Sequence, residues 1–209
     1  MNKIIEIIRY ILGIPKTIFF NLWYLDLKDA LKFPIIVSHK VKLRKLGGKI
    51  KLEKVKFGIV RIGFGTMECY DFTTTPTIFS NKGEIIFKGK IKIGSGAVIS
   101  NEGRLIFGNN CNVTKSIFIC RDEIEIGNDC LFGWDCMLMD TDHHHIYIEN
   151  EKINYNKKIK IGNKVWMGAK VTILKGVIIA EGNVIAAGSI ISSNIIEIKT
   201  IKNDVFWKE

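Results

Sequence analysis

The stretch "IGNKVWMGAKVTILKGVIIAEGNVIAAGSII", residues 161–191, places Ile161, Met167, Ile173, Ile179, Ile185 and Ile191 at intervals of six. A glycine or alanine follows most of them, as at Gly162, Gly168, Ala180 and Ala186. An α-helix repeats about every 3.6 residues and a two-faced strand every two, so neither explains this step. A coil with three flat sides does. Each side is a short strand whose aliphatic residue points into a prism, and small residues form the corners. Stacked coils pair strand on parallel strand, so the aliphatics line up in columns.

The same phrase recurs upstream as "IGSGAV" from Ile93, "FGNNCN" from Phe107, "IGNDCL" from Ile126 and "FGWDCM" from Phe132. Residues 41–92 hold less regular strands, among them "VKLRKL", "KIKLEKVKF" and "EIIFKGKIKI", separated by turn-forming glycines. They read as early coils of the same solenoid. The coils are therefore expected over 37–193, after a helical N-terminal segment, 1–36, and before a tail, 194–209. The helical segment is placed to cap the open end, where a solenoid otherwise presents unpaired strand edges.

A chain of 209 residues suits one domain, or one domain with a short appendage. At 47% hydrophobic and 25% charged residues, it has too much apolar content for long disorder. The net charge of +10 invites an anionic partner. Nucleic acid is not expected, because no zinc-finger spacing or RNA-binding signature accompanies the charge. In residues 40–57 the lysines alternate with apolar residues, as on the solvated face of a strand. The five cysteines, Cys69, Cys111, Cys120, Cys130 and Cys136, are odd in number and form no C-x-x-C pair. They read as reduced core residues of a cytoplasmic protein.

The opening segment is apolar but broken by Glu6, Arg9, Pro15 and Lys16, so its uncharged runs fall short of the roughly 20 residues that span a bilayer. No signal-type cleavage site follows it. Ile4, Ile7, Ile8 and Ile11 form one helical stripe. Two readings stay open for that stripe: packing on the main domain, or peripheral contact with the inner face of a membrane.

Three of the four histidines stand together in "MDTDHHHIYI", residues 139–148. In an extended segment residues two apart share a face, which aligns Asp140, Asp142 and His144 and turns His143 and His145 away. The register Ile126, Phe132, Leu138 would carry 144 into an inward slot unless the chain leaves the coil there. Consecutive histidines diverge, so no metal site is expected.

The repeat resembles that of the hexapeptide-repeat acyltransferases, whose fold is a left-handed parallel β-helix. Residues 165–191 look like the C-terminal coils of polysaccharide and sugar O-acetyltransferases in that family. "MDTDHHHI" looks like their D-x-D-x-H motif, which precedes a projecting loop, here 145–159. The resemblance covers about residues 90–193. It implies a homotrimer, with acetyl-CoA lying between neighbouring helices and a sugar hydroxyl of a surface polysaccharide or its precursor as acceptor. In that chemistry a neutral imidazole takes the hydroxyl proton and returns it to the departing thiolate, while a carboxylate orients the ring.

Carried over residue by residue, the resemblance makes His144 the base, Asp142 its orienting acid and Trp166 the neighbour of the thioester. Gly168 and Ala169 would line the pantetheine arm and offer an amide to the oxyanion, with Ala186 and Ala187 one coil below. Trp134, Asp140 and His143 would line the acceptor. The residues themselves also allow His143 or His145 as base, or a merely structural polar loop. They allow Trp166 as filler of a trimer groove, Trp134 as a packing residue, and the small residues as ordinary corners. The tail lacks the family's G-N-P-A-K loop; Lys199, Lys202 and Lys208 are its candidates for the CoA phosphates. Acyl transfer to an amino sugar or small molecule, or a catalytically silent assembly or glycan-binding β-helix, are the alternatives.

Overall fold

The computed structural model describes residues 3–65 and 75–197; Cys69 and the lysines at 199, 202 and 208 lie outside the described residues. Three parallel sheets of seven, seven and six strands form the sides of a prism. The chain visits the first, second and third face in turn and then drops to the next coil, as a left-handed parallel β-helix. In the last coils Trp166 pairs with Val184, Thr172 with Ile190 and Lys160 with Ile178, each eighteen residues on. Three sides of six residues account for that spacing. Earlier coils are longer, with Val60 paired to Ile91 and Ile91 to Cys111. Their corners hold extra residues, which is why the step of six fades towards the N-terminus.

Inward positions stack as the repeat requires. On the first face Ile62, Ile93, Val113, Phe132 and Met167 are paired in sequence, and all are buried. Inside the prism Phe107 stacks on Phe87 at 5.6 Å and meets Phe118 edge-on at 5.3 Å; Phe118 then meets Phe132 at 5.7 Å. Burying each such ring contributes on the order of 2 kcal/mol. Outward positions carry the charge. Lys49 and Lys51 flank the buried Ile50 and are exposed. Lys51, Glu84, Arg104, Glu123 and Lys158 form a ladder of ion pairs across successive coils of the third face. Cys111, Cys120, Cys130 and Cys136 are buried free thiols.

Helix α1, Lys3–Tyr24, closes the first coil, whose strand Ile35–Val37 is the edge of its sheet. An edge strand presents N–H and C=O groups that need partners. The helix supplies them from side chains. Thr17 Oγ1 accepts from Val37 N at 2.9 Å, and Asn21 accepts from Ile35 N at 3.2 Å while donating to Ile35 O at 2.6 Å. Lys16 Nζ donates to the carbonyls of His39 and Val41, both at 2.6 Å. Gly13 lets the backbones approach, since a Cβ there would lie 2.6 Å from Val37 O. Phe20 drops into the end of the core against Phe79.

This inward face is therefore polar as well as apolar, and it bears on the two readings of the apolar stripe. Ile7, Ile8 and Ile11 do not pack on the domain; they are 58%, 46% and 57% exposed. The edge strand's hydrogen-bonding demand turns Thr17 and Asn21 inward, and helical geometry then turns Ile7, Ile8 and Ile11 out.

Candidate active site

The chain leaves the second face after the strand Met137–Met139 and rejoins the third face at Ile159–Ile161. Ile159 fills the inward slot of that turn, so the histidines stand outside the prism and all three are exposed. The excursion includes a small antiparallel hairpin, Tyr147–Ile148 with Glu151–Lys152. At its base Lys157 N donates to Asp140 O at 3.0 Å, and Gly176 N, one coil below, donates to Lys157 O at 3.1 Å.

Asp140, Asp142 and His144 do not share a face. The strand ends at Met139, and His143 takes φ +62°, so the alternation that would align them is broken. Asp140 is fully buried. Its two carboxylate oxygens accept from Arg121 N at 2.7 Å and Asp122 N at 2.9 Å. In register it continues a corner column that holds Asn81 and Asn101 in earlier coils, where Asn101 donates to Asn81 Oδ1 at 2.8 Å. Burial raises its carboxyl above the ordinary range, against the pull of the two amides. Asp140 therefore fastens the corner, a role that removes it from the acceptor-binding set.

Asp142 is exposed and forms an ion pair with Lys175, which holds its carboxyl below the ordinary range; Asn154 Nδ2 adds a hydrogen bond at 3.1 Å. No hydrogen bond joins Asp142 to a histidine ring among the described residues. Asn154 acts as a clamp: it also donates to His144 O at 2.5 Å and accepts from Ile146 N at 2.6 Å. His143 N donates to Thr141 Oγ1 at 3.1 Å, and the His145 ring stands edge-on to Tyr147 at 6.3 Å. Asp142 thus reaches His144 through Asn154 and the main chain, not as a direct dyad.

Asn154 and Lys175 escaped the reading of the sequence. Lys175 had a signal: Leu174 pairs with Met139, so the next residue lies under the corner where the excursion starts. That pairing is visible only once the length of the excursion is known. Asn154 had none, because its contacts depend on how the hairpin folds.

The other candidates gather at a different corner, between the first and second faces. Gly168 and Ala169 follow the strand Trp166–Met167, Ala186 and Ala187 follow Val184–Ile185, and Trp134 follows Leu131–Phe132 one coil above. These turns stack closely. A Cβ on Gly168 would lie 2.7 Å from Ala187 N, and one on Gly133 would lie 2.8 Å from Ala169 N. The Gly168 amide donates to Ile185 O at 2.9 Å, so it is committed to coil stacking and unavailable to an oxyanion. The Ala169 amide finds no acceptor among the described residues. Trp134 O accepts from Lys170 N at 2.8 Å, and its ring is half-buried, as is that of Trp166.

Within one chain the two corners are separated by the width of the second face. A three-residue strand alone spans about 10 Å. Trp166 and the start of the histidine excursion therefore lie on opposite sides of the second face within one protomer.

No protein-family model matches the chain, and no curated protein matches it in sequence. Solved structures do resemble it. The polySia-specific acetyltransferase NeuO superposes with a TM-score of 0.62 at 22% identity, over 84% of this chain and 76% of that one. A maltose O-acetyltransferase from Clostridium difficile 630 gives a TM-score of 0.37 at 19% identity, over 91% and 79%. The likeness to NeuO is one of fold: both chains are built as a parallel β-helix.

Proposed function

We propose that the chain is an acetyl-CoA-dependent O-acetyltransferase acting on a sugar hydroxyl of a surface polysaccharide or its precursor. The observation that carries this reading is the pairing of two corners on a NeuO-like fold: one exposes His144 on a clamped turn, the other stacks small residues beside Trp166.

Acetyl-CoA enters as a substrate. In the proposed reaction the neutral His144 imidazole removes the acceptor proton as the sugar oxygen attacks the thioester carbon. The tetrahedral oxyanion collapses with loss of the CoA thiolate, which takes the proton back from the imidazolium. The Ala169 amide is the proposed oxyanion donor. Ala186 and Ala187 leave room for the pantetheine arm, and Trp166 packs at its sulfur end. Trp134 and His143 line the acceptor. Asp142, held by Lys175, sets the turn through Asn154 and supplies negative potential near the imidazolium.

Because one protomer holds the two corners apart, the functional unit is proposed to be a homotrimer, in which the histidine corner of each copy faces the small-residue corner of the next. Free-thiol release from acetyl-CoA in the presence of sugar acceptors tests the activity. Co-assembly tests the sharing: His144→Ala and Trp166→Ala protomers, each inactive alone, are expected to regain activity when mixed and reassembled, since some interfaces then carry both intact corners. A mixture that stays inactive although wild type is active would confine each site to one chain.

A further inference from the structure

Between Ile7 and Trp23 every exposed residue of α1 is apolar. Ile7, Ile11, Ile18 and Leu22 form one row of this outward face, each at least 40% exposed. Ile8, Leu12, Phe19 and Trp23 widen it on one side, and on a helical wheel the whole face covers roughly half the cylinder. From Ile7 to Trp23 the face is on the order of 25 Å long. An uncovered patch of that size is unusual on a soluble surface and marks a contact. No described helix is long and apolar enough to cross a membrane.

The edge of the face is basic. Lys16 lies one turn from Leu12 and Phe19, and it lines an open depression with His39, Lys40, Lys42 and Arg44. That lining carries four cations and no acid. Trp23 closes the same edge by donating from its indole to Leu46 O at 2.9 Å.

We infer that α1 and this depression form a docking surface for an anionic lipid bilayer, with the helix lying in the plane of the interface and the cations meeting lipid phosphates. Charge complementarity selects this occupant. A half-cylinder is wider than the narrow seam a single partner helix covers. A second copy related by a two-fold axis would bring its own cations against these four, whereas anionic headgroups neutralise them. The surface lies at the capped end of the prism, and its assignment does not depend on the chemistry proposed for the corners.

Sedimentation of the full chain with vesicles tests it. The protein is expected to pellet with vesicles of equal parts phosphatidylcholine and phosphatidylglycerol, and at least about tenfold less with phosphatidylcholine alone. Ile11→Glu with Ile18→Glu removes the binding while leaving the melting temperature unchanged, because both side chains are exposed; Ile18→Ser gives a milder loss if the double variant folds poorly. Lys42→Ser and Arg44→Ser each weaken partitioning about fivefold. Absence of binding to either vesicle overturns the inference, and so does equal binding to both. A fall in native mass on Ile11→Glu with Ile18→Glu, with no vesicle binding by wild type, would assign the face to a second copy.

Discussion

The two corners that flank the second face follow opposite rules. At the corner of Gly168 and Ala187 the repeat is strict, and each turn lies directly on the one below, with backbone approaches too close for a Cβ. At the corner of Asp140 and Lys175 the repeat is suspended; the chain runs out, turns at His143 and is held by a clamp of polar side chains. Outward positions of the regular coils also carry titratable side chains, but on the third face these pair with one another across coils, whereas the interruption sets His144 on a turn beyond the flat sides.

The comparison breaks most sharply at His144. His144→Ala is expected to lower acceptor-dependent thiol release by about 10² to 10⁴ with no change in melting temperature, since the residue is exposed. His143→Ala and His145→Ala are expected to cost less than about tenfold by the same assay. If either exceeds His144→Ala, the base lies on that residue.

The regular corner should fail through stability instead. Gly168→Val places carbon against the Ala187 backbone and is expected to destabilise the fold by about 2 to 3 kcal/mol, read as a lowered melting temperature. Asp140→Ala, which strips the acceptor from two part-buried amides, should cost about 1 to 3 kcal/mol. Asp142→Asn, only two residues away, should change stability by no more than about 0.5 kcal/mol, since its ion pair is exposed, and should act mainly on the rate. Equal stability losses at 140 and 142 would erase the distinction drawn between them.

The smallest effect is in pH. The folded-state carboxyl of Asp142 is held below its unfolded value by Lys175, so its contribution to stability is present above the ordinary carboxylate range and is lost as pH falls through the folded value. The melting-temperature gap between wild type and Asp142→Asn should therefore narrow in acid. Asp140 has the opposite sign: burial raises its folded value, so protonation on mild acidification favours the folded state at that group.

Ile161 to Ile191 announced the prism because the residues of a complete eighteen-residue coil are nearly all specified by where they point. Ile62 and Ile93 belong to the same inward column, yet their coil is long enough to hide the period. At the site, the exposure of His144 agreed with a departure from the coil at that point, but the role of Asp140 did not follow from an alternating strand. Its function depends on standing in the column of Asn81 and Asn101, and register across coils cannot be read from local spacing when the intervening turns differ in length.

By itself the sequence determined the parallel coil, its inward columns and the break at the histidines, because the choice between buried and solvated positions is local and repeats. Tertiary structure alone decided which partners the polar residues found: Asp142 with Lys175 and Asn154, Thr17 and Asn21 with the edge strand, and Ile7, Ile8, Ile11 and Ile18 of α1 with no covering surface among the described residues. Hydrogen bonds and ion pairs are directional and short-ranged, so they form between whatever groups the completed coil brings within about 3 Å, irrespective of their distance along the chain.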